Sequence, residues 1–440
     1  MQLTAIAKTM SETTKRSAEA PSPTWVEASV WTDGMLAALV NGVKGGKWYS
    51  LMDKVYAPST LEAAWRRVRA NRGAAGVDRI SIEQFEAQAE RYLAELHQAL
   101  KSGEYRPQAV KRVYIPKSDG KERPLGIPTV KDRIVQGAMK LVMEPIFEHE
   151  FMPMSYGFRP EKGCKDALRE VDELLKAGYT YVVDADLKSY FDTLVHEILM
   201  QRLQERISDG RLLGLVEHFL SQDVLDGLEK WTPIKGSPQG AVLSPLLANL
   251  YLHPLDCLIT EAGFRMVRYA DDFVILCQDR KEAETALQKV REWVEANGLT
   301  LHPDKTHLGD CREKGQGFDF LGYRFEAGRR WVRVKSRKAL MDKVREKTKR
   351  NRSGSMDKII ADLNPMLRGW FGYFKHAYRT EFKSVDGFVR RRLRALLLRR
   401  NKKKGWGRSL QSHKRWPNTY FAKHGLFTLH EAHAAACQSR

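Results

Sequence analysis

No stretch of this chain approaches the ~18 consecutive apolar residues that a bilayer-spanning helix requires, so no membrane partner is expected. A secretory signal is also missing. Met1 to Pro23 is rich in Ser, Thr and Ala, lacks an apolar core, and is expected to be disordered. Cysteine is scarce: five occur, at 164, 257, 277, 311 and 437, and none forms a C-x₂-C pair. That excludes a zinc knuckle or a zinc-stapled nuclease module. The odd count and wide spacing fit reduced thiols in a cytoplasmic protein. His430 and His433 have no partner cysteine nearby and are not expected to bind metal.

The last quarter has few acids. Residues 324–440 hold 32 Lys and Arg against 8 Asp and Glu, a net +24, while the preceding 323 residues hold 42 basic and 46 acidic residues, a net −4. A solvated surface spreads its charge; a nucleic-acid-binding region concentrates it. The length of 440 residues and 42% hydrophobic content allow about two to four ordinary globular domains.

Two adjacent acids stand out. In Arg268-Tyr-Ala-Asp-Asp-Phe-Val-Ile-Leu276, Asp271 and Asp272 lie between short apolar runs, which predicts a β-hairpin with both carboxylates at its tip. Acids so placed repel each other and call for a hard cation such as Mg²⁺. Tyr179 to Leu187 is a β-branched and aromatic run that predicts a buried strand with Asp184 and Asp186 near its end. One carboxylate from a strand with two from a neighbouring hairpin is the arrangement that holds two metal ions in a nucleotide-polymerising site. Asp186 with Asp271 and Asp272 is the expected catalytic trio, Asp184 being the competitor on the same strand face. Asp271 is expected to bridge the metals and Asp272 to be the weaker ligand.

Other segments supply candidate partners. Ile82 to Leu100 has a helical apolar face closed by Gly103. Val110 to Ile115 suggests a strand, and Asp119-Gly120 predicts a hairpin turn flanked by Lys117 and Arg123, two cations that suit a triphosphate clamp or simply decorate an exposed loop. Ser155 to Pro160, with Arg159, reads either as an aromatic-basic contact for a nucleic-acid strand or as a packed turn. Leu299 to Thr306 and Phe318 to Phe325 are strand-like. Phe388 to Arg400 sets apolar positions against Arg390, Arg391, Arg392 and Arg394; within an aromatic helical region this fits nucleic acid better than a membrane surface.

These blocks together resemble the group II intron reverse transcriptase–maturases. The resemblance runs in order through Asn71 to Asp78, Ile115-Pro-Lys through Pro128, Ser155 to Pro160, Ala185-Asp-Leu-Lys with Phe191-Asp192, and Tyr269-Ala-Asp-Asp272, and spans roughly residues 30–435. It implies an α+β right-hand polymerase with a helical thumb and a short basic DNA-binding region. The expected divisions are 1–27 disordered, 28–110 the N-terminal extension and the start of the fingers, 111–325 fingers and palm, 326–400 thumb and maturase, and 401–440 the basic DNA-binding region. It implies that Asp186, Asp271 and Asp272, with the Leu187 carbonyl, hold two Mg²⁺ ions. Lys117, Arg123 and Gln239 would contact the incoming dNTP, and Phe191 would exclude a ribose 2′-hydroxyl. Lys305 would reach a phosphate, and Lys402, Lys403 and Lys404 would bind nucleic acid.

The implied partners are the intron RNA, an RNA template–DNA primer duplex and target DNA, in a bacterial, nucleoid-associated setting. The implied function is RNA-directed DNA synthesis with assistance to splicing and copying of the intron during retrohoming. A defence- or CRISPR-associated reverse transcriptase, or an RNA-binding maturase with incidental polymerase activity, is the alternative. The C-terminal zinc-dependent endonuclease that many relatives carry is not expected in this sequence.

Overall fold

The computed structural model describes residues 24–43, 45–116 and 122–438. Of the segment 1–27 expected to be disordered, residues 1–23 lie outside the described residues, as does the expected phosphate ligand Lys117. Residues 24–27 are held in place, with Val26 packed on the core and Glu27 paired with Arg66 and Arg67.

The centre is a four-stranded antiparallel sheet ordered β6-β7-β3-β8, formed by β3 (Tyr181–Asp186), β6 (Arg265–Tyr269), β7 (Asp272–Cys277) and β8 (His307–Asp310). Its strands alternate between two cores. Val183, Ala185, Met266, Phe273, Ile275 and Cys277 enter a large cluster shared with the N-terminal helices and with helices Val130–Glu148 and Ser244–Glu261. Val182, Val267, Val274 and Leu276 enter a second cluster shared with helices Cys164–Lys176, Met356–Phe374 and Thr380–Arg400. A strand's two-residue period produces this split, and burial on both faces explains the near-continuous apolar runs.

A second sheet, ordered β2-β1-β4-β5, projects to one side as the fingers. It joins β1 (Val110–Pro116) and β2 (Glu122–Ile127) to the short hairpin of β4 (Val224–Asp226) and β5 (Glu229–Trp231). A third sheet, β9 (Phe318–Phe320), β10 (Tyr323–Glu326) and β11 (Arg329–Val332), leads into the helical thumb. Strands scattered among helices make this an α+β right-hand architecture, as the sequence implies.

Several expectations change. Ile82 to Leu100 is two helices, Ile82–Glu86 and Ala89–Ser102, because the chain turns at Ala87 and Gln88. Residues 299–306 are not a strand. Pro303 cannot donate to a ladder, and only a single bridge, Leu187 to Leu301, forms before β8 begins at His307. The boundary expected at 400 does not separate two cores: Trp416, Phe421, Leu426 and Leu429 are buried in the thumb cluster, and the Asp386 carboxylate accepts from the Leu429 and His430 N–H groups at 3.0 and 2.9 Å. Among the described residues no helix is long and apolar enough to cross a membrane.

One buried pair ties this architecture together. Arg268 on β6 and Asp256 on the helix Ser244–Glu261 are both fully buried, with Arg268 Nε donating to Asp256 Oδ1 at 2.7 Å and Nη2 donating to Oδ2. Removing one partner of such a pair strands a charge and typically costs about 3–5 kcal/mol, whereas replacing both by apolar residues costs far less. Asp256→Ala is therefore expected to lose about that much stability in urea denaturation, and Asp256→Leu with Arg268→Met to lose less than Asp256→Ala alone. Additive losses from the two substitutions would contradict this account.

Candidate active site

The β6–β7 hairpin closes through two residues. Tyr269 pairs with Asp272, leaving Ala270 and Asp271 as the turn. Ala270 has φ +59°, a left-handed conformation that an alanine adopts only when its surroundings hold it there. The holding contacts are present. Arg268 Nη1 donates to the Ala270 carbonyl at 2.9 Å and to Asn249 Oδ1 at 3.0 Å. Asn249 Nδ2 in turn donates to the Gly157 carbonyl at 2.8 Å. A side chain at Gly157 would overlap the Ala270 N–H and come within 2.9 Å of the Tyr269 carbonyl carbon. The segment before Gly157 lies along β6, with Tyr156 N–H donating to the Arg268 carbonyl at 2.9 Å and Arg268 N–H donating to that of Met154 at 3.0 Å.

The neighbouring strand brings the third acid. Asp186 stands directly opposite Asp272 in the β3–β7 register, and Asp184 lies opposite Val274. Like charges directly opposite each other are unfavourable. Burial, reinforced by Asp184, Asp271 and Asp186, pushes the Asp272 carboxyl up to about 7, against its ordinary 3.8, while Arg333 pulls it back. Burial also raises Asp271, as does Asp186, while Arg123 and Lys305 oppose the rise. Asp184 is pushed up to about 7, chiefly by burial. Its carboxylate accepts the Asp319 N–H, which ties β3 to β9.

Lys305 reaches this group of acids from the 299–306 loop. That loop grips the end of β3, with His302 N–H donating to the Asp186 carbonyl and Lys188 N–H to that of Thr300, both at 2.8 Å. Leu187 sits between these two bonds. The Lys305 ammonium pairs with Asp186 Oδ2. Among the described residues no three His, Cys, Asp or Glu side chains already converge at metal-ligand spacing. The donor set of crowded carboxylate oxygens nevertheless fits a hard divalent cation, the partner that relieves their mutual repulsion.

The fingers meet the palm beside these acids. Arg123 Nε donates to Gln239 Oε1 at 2.7 Å, and Gly126 N–H donates to the Gln239 carbonyl at 2.7 Å. The same loop is stitched to the turn after β3: Ser237 N–H donates to the Phe191 carbonyl and Gly236 N–H to that of Leu194, both at 2.7 Å. Phe191 is buried, its ring edge-on to Tyr190 at 5.5 Å. Arg123, Gln239 and Phe191 thus belong to one connected wall. A cleft of about 880 Å³ runs along β9–β11, lined by cations (Arg324, Arg333, Lys335, Arg337 and Lys338) interleaved with acids (Asp319, Glu326, Asp342 and Glu381). Arg333 Nε donates to Asp319 Oδ2 at 2.8 Å.

Three expected nucleic-acid ligands are structural instead. Arg159 is buried, donating to the Glu148 carboxylate and to the Met152 and Ser155 carbonyls, so it pins the turn and is not free for a strand. Arg394 is buried against the Trp416 carbonyl and Asn418 Oδ1. Arg392 is spent on Thr348 Oγ1 and the Thr348 and Arg345 carbonyls. Arg390 and Arg391 remain half-exposed, and Lys402, Lys403 and Lys404 are exposed. Sequence reasoning missed Asn249, Asp256, Gly157 and Arg333. A signal existed only for Arg268, a charged residue inside an apolar strand.

A sheet carrying paired acids at a hairpin tip, flanked by fingers and a helical thumb, defines a right-hand nucleic-acid polymerase. Comparison narrows the class. Residues 115–325 match the reverse transcriptase (RNA-dependent DNA polymerase) family, and residues 337–416 match the group II intron maturase-specific domain. Protein YkfC of Escherichia coli (strain K12) is 36% identical over 316 residues, covering 62% of this chain and 82% of YkfC. The group II intron-encoded protein LtrA of Lactococcus lactis subsp. cremoris is 34% identical over 212 residues, covering 48% of this chain and only 35% of LtrA. A chain of a Cas6-RT-Cas1–Cas2 complex superposes with a TM-score of 0.36 at 23% identity over 56% of this chain and 42% of that one, too loosely to bear on function.

The chain belongs to the group II intron reverse transcriptase–maturase family. It is an RNA-directed DNA polymerase carrying a maturase domain, and RNA is among its partners. The maturase match favours this reading over a defence-associated one.

The acid cluster sets a sign for stability against pH. Because the folded-state carboxyl of Asp272 lies well above its ordinary 3.8, its ionised form is penalised in the fold. The penalty is complete above about pH 7 and fades as the pH falls towards 4. Without divalent metal, Asp272→Asn is expected to be more stable than the wild type at pH 8, by up to about 4 kcal/mol. The two thermal-unfolding curves should converge near pH 4. A variant less stable at pH 8 would contradict the repulsion.

Proposed function

We propose that this chain copies RNA into DNA at the junction of β3 with the β6–β7 turn, binds its intron RNA through the basic helical region, assists splicing, and copies the intron into a DNA target during retrohoming. The observation that carries the reading is the register that sets Asp186 against Asp272 with Asp271 in the adjoining turn, beside a wall made by Arg123, Gln239 and Phe191. Asp186, Asp271, Asp272 and the Leu187 carbonyl would hold two Mg²⁺ ions. Once bound, these would activate the primer 3′-hydroxyl and stabilise the departing pyrophosphate.

The chain's own groups do the rest. Arg123, whose charge already acts on Asp271, would bind the oxygens of a dNTP triphosphate, with Gln239 orienting the guanidinium. Phe191, held through its carbonyl by Ser237, closes the sugar side of the pocket. The Asp184–Asp319 tie keeps the β9–β11 sheet in place, and Lys335 and Lys338 in the cleft along it would meet the phosphates of the primer strand. Arg390, Arg391 and Lys402 to Lys404 offer charge to phosphates.

Asp271→Ala is expected to abolish cDNA synthesis on a primed RNA while leaving RNA affinity within about twofold, since the carboxylate lies on the polymerising face and not the thumb surface. Retained synthesis would remove Asp271 from the catalytic set. Phe191→Ala is expected to admit ribonucleotides, reducing the dNTP-over-NTP ratio of kcat/KM by ~10-fold or more. An unchanged ratio in a normally melting variant would leave Phe191 as core packing only.

A further inference from the structure

Trp406 is 63% exposed, unusual for the largest side chain. It lies in the loop between helices Thr380–Arg400 and Leu410–Arg415. The loop is pressed flat on the thumb. Gly407 has φ +74°, and a Cβ there would come within 2.6 Å of the Arg391 carbonyl and 2.8 Å of Arg394 Cβ. Only glycine lets the chain lie so close while the residue before it stays in solvent. Arg350 backs the indole, its guanidinium carbon 5.1 Å from the ring centroid, and its Nη2 donates to the Gly405 carbonyl at 3.0 Å. The ring is therefore fixed from one side and open on the other.

The surroundings select the occupant. Residues 399–408 contain six Lys or Arg and no acid, and Lys402, Lys403, Lys404 and Arg408 are exposed. A second copy of this chain would bring its own net +24 over residues 324–440 and be repelled. A polyanion with flat apolar faces is attracted on both counts: phosphates to the cations, a base to the indole.

We propose that Trp406, backed by Arg350, is a stacking platform for an unpaired base of RNA. The RNA assignment rests on the function proposed above and on the position of Trp406 within residues 337–416, matched to the maturase-specific domain. The platform reads the presence of an unpaired base, and the neighbouring lysines hold the backbone on either side of it.

The test uses the full chain with a blunt RNA hairpin, the same hairpin carrying a single-stranded extension, and a single-stranded DNA of the extension's sequence. Trp406→Ala should weaken binding of the extended RNA by ~5- to 150-fold and leave the blunt hairpin unchanged. Trp406→Phe should retain most of the affinity, and both variants should melt and extend an oligonucleotide primer like wild type. The salt dependence separates stacking from charge. Trp406→Ala should leave the slope of log affinity against log salt unchanged, whereas Lys403→Ala should flatten it by ~0.7–0.9. Equal affinities of wild type and Trp406→Ala for the extended RNA, or equal losses on both RNAs, would overturn the platform. A loss confined to single-stranded DNA would overturn its assignment to RNA. A wild-type chain that bound neither RNA would overturn the RNA-binding function itself and the platform with it.

Discussion

The buried pair of Arg268 and Asp256 is the interaction on which the catalytic region depends. Arg268 spends two N–H groups on the carboxylate and a third nitrogen on Asn249 and the Ala270 carbonyl. A desolvated guanidinium is costly unless every donor finds an acceptor. Here that requirement fixes, at once, the helix that bears Asp256, the turn that bears Asp271, and, through Asn249, the strand-like segment at Gly157. The Ala270 backbone is left-handed because these neighbours leave it no other course. The acids are thus placed by a cation beneath them that takes no part in the chemistry.

The acids themselves are the opposite kind of arrangement, several like charges gathered where burial makes each one more expensive. Asp272 and Asp184 both carry carboxyls pushed up to about 7. The fold tolerates this because Arg333, Lys305 and Arg123 stand around the cluster and because the two hydrophobic cores beneath the sheet supply the stability that the cluster costs. Such a cluster works against stability, and local arrangements that cost stability are the ones a fold keeps for function.

Much of this is legible in the residue order. The alternation around Asp271 and Asp272 is local, and so is the Asp119-Gly120 turn signal that announces the β1–β2 hairpin. The acids' strand and turn positions agree with the reading of the sequence, whereas the meeting of Arg123 with Gln239 is not written in it. What could not be read there is long-range. An arginine looks solvent-exposed in a sequence, and only the folded chain brings Glu148 to Arg159, Thr348 to Arg392 and the Trp416 carbonyl to Arg394. Leu299 to Thr306 has strand-like composition, yet Pro303 leaves it a clasp around the end of β3. Helical periodicity ran straight through Ala87 and Gln88 because the apolar residues on both sides of that turn still meet, Phe85 stacking on Tyr92 at 4.9 Å.

The central sheet belongs to two interiors, and this has a consequence for how the chain can change. Odd-numbered residues of β3 and β7 fill one interior, while even-numbered ones fill the other and carry Asp184, Asp186 and Asp272. One residue gained or lost within either strand would exchange the two sets, driving the acids into the interior shared with the N-terminal helices and their apolar neighbours out to the face the acids now occupy. The length of these strands is therefore locked to parity. Descendants of this sequence can trade one aliphatic side chain for another there, but the spacing between Tyr181 and Asp186, or between Asp272 and Cys277, has no freedom to drift.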